Sequence, residues 1–142
     1  MTYVFKEKFQ LADLANVSRV AKCVVLLETD SILRDIYKTE FGLLGLDSVF
    51  CENQFEVDSV VKRHNPHLFI CNTDIFKNES ELIELLKYIK KIYHYLPLLT
   101  YSLRTSPDLL SKLLNCGVSS HLDRKFSRPR DLLDIVRAVL NS

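Results

Sequence analysis

The chain has 142 residues, 47% of them apolar and 26% charged, and carries a net charge of +1. That length buries the core of one domain, and so small a charge supplies no field for gathering nucleic acid or an anionic membrane. The N-terminus, Met1 to Val4, lacks a secretory apolar region, and no apolar run reaches membrane-spanning length, so a cytoplasmic location is expected.

Residues 1–20 read as an N-terminal extension. Phe5, Phe9, Ala12 and Val17 recur at roughly helical spacing, which fits a short amphipathic helix with a linker and equally an arm packed on its own domain. The domain proper spans 21–142 and begins with Cys23-Val24-Val25-Leu26-Leu27, a continuous β-rich run of the kind buried on both faces of a parallel sheet. The next segment carries Ile32, Leu33, Ile36 and Tyr37 at helical spacing and stops near Gly42 or Gly45. A second strand is predicted around 46–51 and a second helix around 55–63.

Pro66 precedes a third strand, Leu68–Cys71. The longest helix follows, with Leu82, Leu85, Leu86, Ile89 and Ile92–Tyr93 on one face, and Asn78 with Glu81 has capping-box spacing at its start. Pro97 opens a fourth strand over 98–101. Ser106-Pro107 supplies an N-cap and an N1 proline for a fourth helix that Gly117 terminates. A fifth strand over 118–122 leads to a last helix capped by Ser127 and carrying Leu132, Ile135, Val136 and Val139. Five strand–helix units with right-handed crossovers put helices on both faces of one parallel sheet.

Polar residues gather where several of these strands stop, and in an open parallel sheet that edge forms the ligand-binding crevice. Asn72 follows the third apolar run, where a carboxylate is expected; an amide there is neither an ionised acid nor a nucleophile. Read as a loop residue, it is an ordinary turn-former. Asp30 fits a helix cap better than a metal ligand. Of Thr100 and Ser102, one is expected to point into the crevice, and Ser102 is the better aligned. His64 and His67 flank Pro66 near Cys71, but their spacing matches no closed zinc site. The four cysteines (Cys23, Cys51, Cys71, Cys116) lack paired spacing and read as buried thiols of a reduced protein. Residues 87–95 interleave lysines with tyrosines as nucleic-acid surfaces do; cations serving a helix C-terminus and a core stripe of Ile89 and Ile92 explain them better.

Four anchors in order carry a resemblance: Glu28-Thr29-Asp30-Ser31-Ile32-Leu33-Arg34, Asn65 through Asn72, Leu96 through Ser102, and Cys116 through Phe126. On them, residues 21–142 resemble the receiver domain of bacterial two-component response regulators, the CheY-like family. The resemblance implies an α/β, flavodoxin-like doubly wound sheet of five parallel strands in the order 2-1-3-4-5. It also implies a pocket in which two acids after the first strand and an aspartate after the third hold magnesium. The aspartate accepts a phosphoryl group, and a hydroxyl after the fourth strand and a lysine after the fifth bind its oxygens. Oxygen ligands and neutralising cations suit a hard metal and a transferred phosphoryl group.

Carried onto this chain, the resemblance leaves Glu28 as one acid, with Thr29 in place of the second and Asn72 in place of the nucleophile. Ser102 keeps the hydroxyl. Arg124 or Lys125 supplies the cation, and His121 takes the aromatic switch position, where a buried histidine bonded to backbone is the commoner case. An ion pair between Glu28 and Arg124 or Lys125 is expected to fill the emptied space. No cofactor is expected, and Mg2+ binding only weakly. The expected function is a non-enzymatic pseudo-receiver, a protein-interaction module independent of phosphorylation. Its surface is the fourth helix, fifth strand and fifth helix, where Leu133 and Leu140 beside Arg130 and Arg137 suit a homodimer. No domain follows residue 142 in this sequence, so output is expected to pass through contact. The alternative is phosphotransfer to Asp74, with Glu28 and Asp30 around a displaced metal. A flavin binder lacks the phosphate-cradling loop after the first strand.

Overall fold

A computed structural model describes residues 22–141; the expected helix over 1–20 lies outside them. The strands are β1 (Cys23–Leu27), β2 (Asp47–Cys51), β3 (Leu68–Asn72), β4 (Leu98–Ser102) and β5 (Ser120–Asp123). They form one parallel sheet in the order β2-β1-β3-β4-β5, the order expected. The helices are α1 (Ser31–Leu43), α2 (Val57–His64), α3 (Glu79–Ile92), α4 (Pro107–Asn115) and α5 (Pro129–Leu140), with single 3-10 turns after β2, β3 and β5.

Strand alternation sorts the core into two layers. Val25, Leu27, Phe69, Cys71 and Leu98 pack with Val57 and Val61 of α2, Leu82, Leu86 and Ile89 of α3, and Leu109 and Leu113 of α4. Val24, Leu26, Leu68, Ile70, Leu99 and Tyr101 pack with Tyr37 and Phe41 of α1 and Leu132, Leu133 and Val136 of α5. Leu133 is thus a core residue and not part of a dimer face: α5 turns Leu132, Leu133 and Val136 inward together, a wider stripe than the sequence pattern suggested. On the α4 side, Leu103, Leu110 and Leu114 are exposed instead, and elsewhere Leu43 and Leu44 are exposed at the end of α1.

The helix ends follow the local chemistry. Asp30 caps α1 by accepting from the amides of Ile32 and Leu33, and Ser106 caps α4 through the amide of Leu109 (3.1 Å), with Pro107 at N1. Gly117 follows α4 with φ +90°, a conformation that favours glycine. Asn78 caps α3 through Ser80, while Glu81 leaves the cap and accepts from Gln54 Nε2 (3.1 Å). Ser127 does not cap α5. Its hydroxyl donates to the Asp123 carbonyl (2.8 Å), Arg128 takes the cap position, and the Asp131 carboxylate accepts from the Arg128 amide (2.8 Å). Among the described residues no helix is long and apolar enough to cross a membrane.

Candidate functional site

The parity of the strands decides which side chains meet at the carboxyl edge. Glu28 continues the Val24–Leu26 row, Asn72 the Leu68–Ile70 row, and Tyr101 the Leu99 row, so all three reach the α1–α5 side. There they form a closed cluster. Asn72 Nδ2 donates to Glu28 Oε1 (3.0 Å), and the Tyr101 hydroxyl donates to the same oxygen. The amide of Asp30 donates to Glu28 Oε2 (3.0 Å). Glu28 is 1% exposed; three donors therefore replace the water it has lost, which a buried carboxylate requires.

Asn72 uses its other end as well: Oδ1 accepts from the amide of Asp74 (2.9 Å) and shapes the turn Thr73–Ile75. An aspartate could accept at that oxygen but, ionised, could not donate to Glu28. Two ionised carboxylates in contact within so dry a place would repel. The amide is thus matched to a site that holds one buried carboxylate by directed donors.

Arg124 does not pair with Glu28, contrary to the expected ion pair; among the described residues no such bridge forms. Its guanidinium lies over the Tyr101 ring, 5.3 Å from the centroid, an attraction of cation and ring face. Tyr101 thereby contacts both groups and stands where a direct bridge was expected. Burial first, then the negative charge and hydrogen bond of Glu28, push the Tyr101 phenol far above its ordinary value, so it remains a donor. Tyr37 packs against it at 6.0 Å between centroids. Of the two candidate cations at the end of β5, Arg124 is the one turned to the pocket; Lys125 is exposed.

A second cluster sits on the opposite, α3–α4 side. Thr100 and Ser102 are two residues apart and share a face, so the expectation that only one points that way is corrected by strand geometry. Ser102 Oγ donates to Asp74 Oδ1 (3.0 Å), the amide of Leu103 donates to Asp74 Oδ2 (2.7 Å), and the amide of Arg104 donates back to Ser102 Oγ (2.8 Å). Thr100 Oγ1 shares a hydrogen bond with His121 Nδ1 (2.7 Å), and Thr105 Oγ1 shares one with Nε2 (3.0 Å). His121 is therefore satisfied by two hydroxyls, not by backbone. Burial lowers its pKa, outweighing the carboxylates of Asp123 and Asp74, which raise it.

Thr29 is exposed and Asp30 is occupied as a cap, so neither joins Glu28 as a side-chain acid. Among the described residues no three His, Cys, Asp or Glu side chains converge to hold a metal ion. His64 and His67 line a cleft of about 700 Å3 at the opposite edge of the sheet, where His67 Nδ1 accepts from the Cys23 amide (3.1 Å). Cys71 is buried away from it, its thiol raised by burial. The carboxyl edge remains the better candidate site, because polar groups from β1, β3, β4 and β5 converge there. Sequence reasoning missed Tyr101 as a member. The available signal was a hydroxyl-bearing ring in a buried run, since buried tyrosines find a partner for the O–H.

No protein-family model and no curated protein sequence matches the chain. Among solved structures it is similar to an orphan response regulator of H. pylori, at 16% identity and TM-score 0.75 over 84% of this chain and 96% of that one. It is similar to a response regulator from Thermotoga maritima at 18% identity and TM-score 0.75, over 87% and 100% of the two chains. A CheY-like response regulator receiver domain protein from Methanospirillum hungatei JF-1 superposes with TM-score 0.74 at 19% identity, over 85% and 94%. The architecture is that of receiver domains.

Proposed function

We propose that this chain is a receiver-type signalling module that works through protein contact without forming an acyl phosphate. The observation carrying this reading is the double commitment of Asn72, whose amide donates to Glu28 and accepts from Asp74. A nucleophilic oxygen is absent at that position, and the remaining acid is already held by three neutral donors. The Ser102 hydroxyl, which the resemblance assigns to a phosphoryl oxygen, is donated to Asp74. Signal then comes from partner binding, which shifts populations only by its differential affinity for two states. The surface we assign to it is α4, β5 and α5, with Leu103, Leu110 and Leu114 exposed along its α4 side; a homodimer through this surface belongs to the same proposal.

The test is incubation with a small-molecule phosphodonor and magnesium, followed by intact mass and amide chemical shifts. Both stay unchanged under this reading. A stoichiometric, hydroxylamine-labile adduct overturns it, and loss of that adduct in Asp74→Asn would assign phosphotransfer to Asp74.

A further inference from the structure

At the amino edge of the sheet, far from Glu28 and Asn72, the helix ends leave apolar side chains in water. Ile92, the last residue of α3, is 48% exposed, and Tyr95 just beyond it is 60% exposed. Beside them runs a groove of about 330 Å3, lined by Tyr95, Leu96 and Pro97 before β4 and by Val139 and Leu140 at the end of α5. We propose that this groove is the seat of the chain's own N-terminal segment, residues 1–20, whose Phe9 ring enters it.

The point where the segment joins the domain selects this occupant. Lys22, the residue that leads into β1, is fixed from two sides. Its carbonyl accepts from the Asp47 amide (2.9 Å), and its Nζ donates to the Leu140 carbonyl (2.7 Å). Lys22 and Leu140 both line the groove, so the chain leaves the sheet at the groove itself. Phe9 stands 13 positions before Lys22, a stretch that spans roughly 40 Å when extended. The five strands together span only about 20 Å, so the ring reaches the groove with chain to spare. A flexible tether that short holds it at an effective concentration near the millimolar range. A separate partner with equal contacts would have to exceed that level.

The chemistry of the two partners matches. Phe5 and Phe9 are four positions apart and share one face of any helix they form, and tyrosine, proline and aliphatic side chains suit an aromatic ring. The segment carries Lys6, Lys8 and Arg19 against Glu7 and Asp13, and the groove lies at the C-terminal ends of α3 and α5, which favour cations. The groove is also formed in advance. The Tyr95 hydroxyl donates to Asn65 Oδ1 (3.2 Å) and Lys90 Nζ donates to the Leu96 carbonyl (3.1 Å), which hold the loop before β4. A wall already in place lowers the cost of docking.

The experiment places the photo-cross-linker p-benzoylphenylalanine at Phe9 of the full chain, irradiates it and maps the products by tryptic mass spectrometry. Monomeric product joined to the peptide 92–104 or 138–142 is expected. Cross-links only to other peptides, no cross-link, or a covalent dimer overturns the proposal, the dimer by assigning the groove to a second copy. A second measurement compares amide spectra of the 15N-labelled full chain and its Phe5→Ala/Phe9→Ala variant. The Tyr95 and Leu140 resonances should move while those of Leu110 and Leu114 on α4 stay in place. Unmoved Tyr95 and Leu140 resonances contradict the docking.

Discussion

The two polar clusters at the carboxyl edge handle charge in opposite ways. On the α1–α5 side, Glu28 is sealed from water, so its charge is borne by directed neutral donors, Asn72, Tyr101 and the Asp30 amide. On the α3–α4 side, Asp74 stays exposed to solvent and pairs with a hydroxyl and an amide. A buried charge tolerates no unmet valence, whereas an exposed one trades partners with solvent at small net cost. The difference separates a fixed half of the pocket from an adjustable half, and Asn72 joins them by bonding to both.

Substitutions in the sealed half should therefore be the costly ones. Asn72→Asp sets a second carboxylate against Glu28 and should cost about 3 kcal/mol or more at neutral pH, read from urea melts. In the folded variant at least one of the two acids has a raised pKa. The penalty is then present above the ordinary carboxylate range and is relieved as pH falls into it. A variant as stable as the native chain at pH 7 would break the contrast between the halves.

Tyr101→Phe keeps the ring beneath Arg124 but removes one donor from buried Glu28, which should cost about 1–3 kcal/mol; an unchanged melt would mean that Glu28 does not need the phenol. In the adjustable half, His121→Gln should cost only about 1 kcal/mol. It should also flatten a pH dependence. Burial holds the folded His121 below its ordinary value of 6.5, so the unfolded chain binds the proton first, and native stability falls as pH drops through and below 6.5. Equal slopes for native and variant in that range would contradict the assignment. Smallest is Arg124→Ala, about 0.5–1 kcal/mol from the lost ring contact. It sharpens the comparison by showing that Glu28 is not held by a cation.

Much of this was legible in the sequence. The apolar runs gave the parallel strands, and Asp30, Asn78, Ser106-Pro107 and Gly117 marked helix ends because a cap is satisfied by chemistry a few residues away. The identity of Asn72 and the survival of Glu28 and Ser102 were equally plain. Partner choice was not. Whether Glu28 turns to Arg124 or to Tyr101, or His121 to backbone or to Thr100 and Thr105, depends on strands distant in sequence. Ser127 lost its capping role to the same cause: its hydroxyl found the Asp123 carbonyl, and Asp131 served the helix start. Leu133 was misplaced because the apolar stripe of α5 is wider than its strictest spacing.

The central claim is that the chain completes its own pocket around Glu28 and leaves no seat for a divalent ion. Mn2+, a paramagnetic stand-in for Mg2+ that also favours oxygen ligands, tests it by NMR. Titration into the native chain should broaden no resonance selectively at the Asn72 side-chain amide or at the Thr29 and Thr73 backbone amides. Selective, saturable broadening of those three at submillimolar Mn2+ would contradict it.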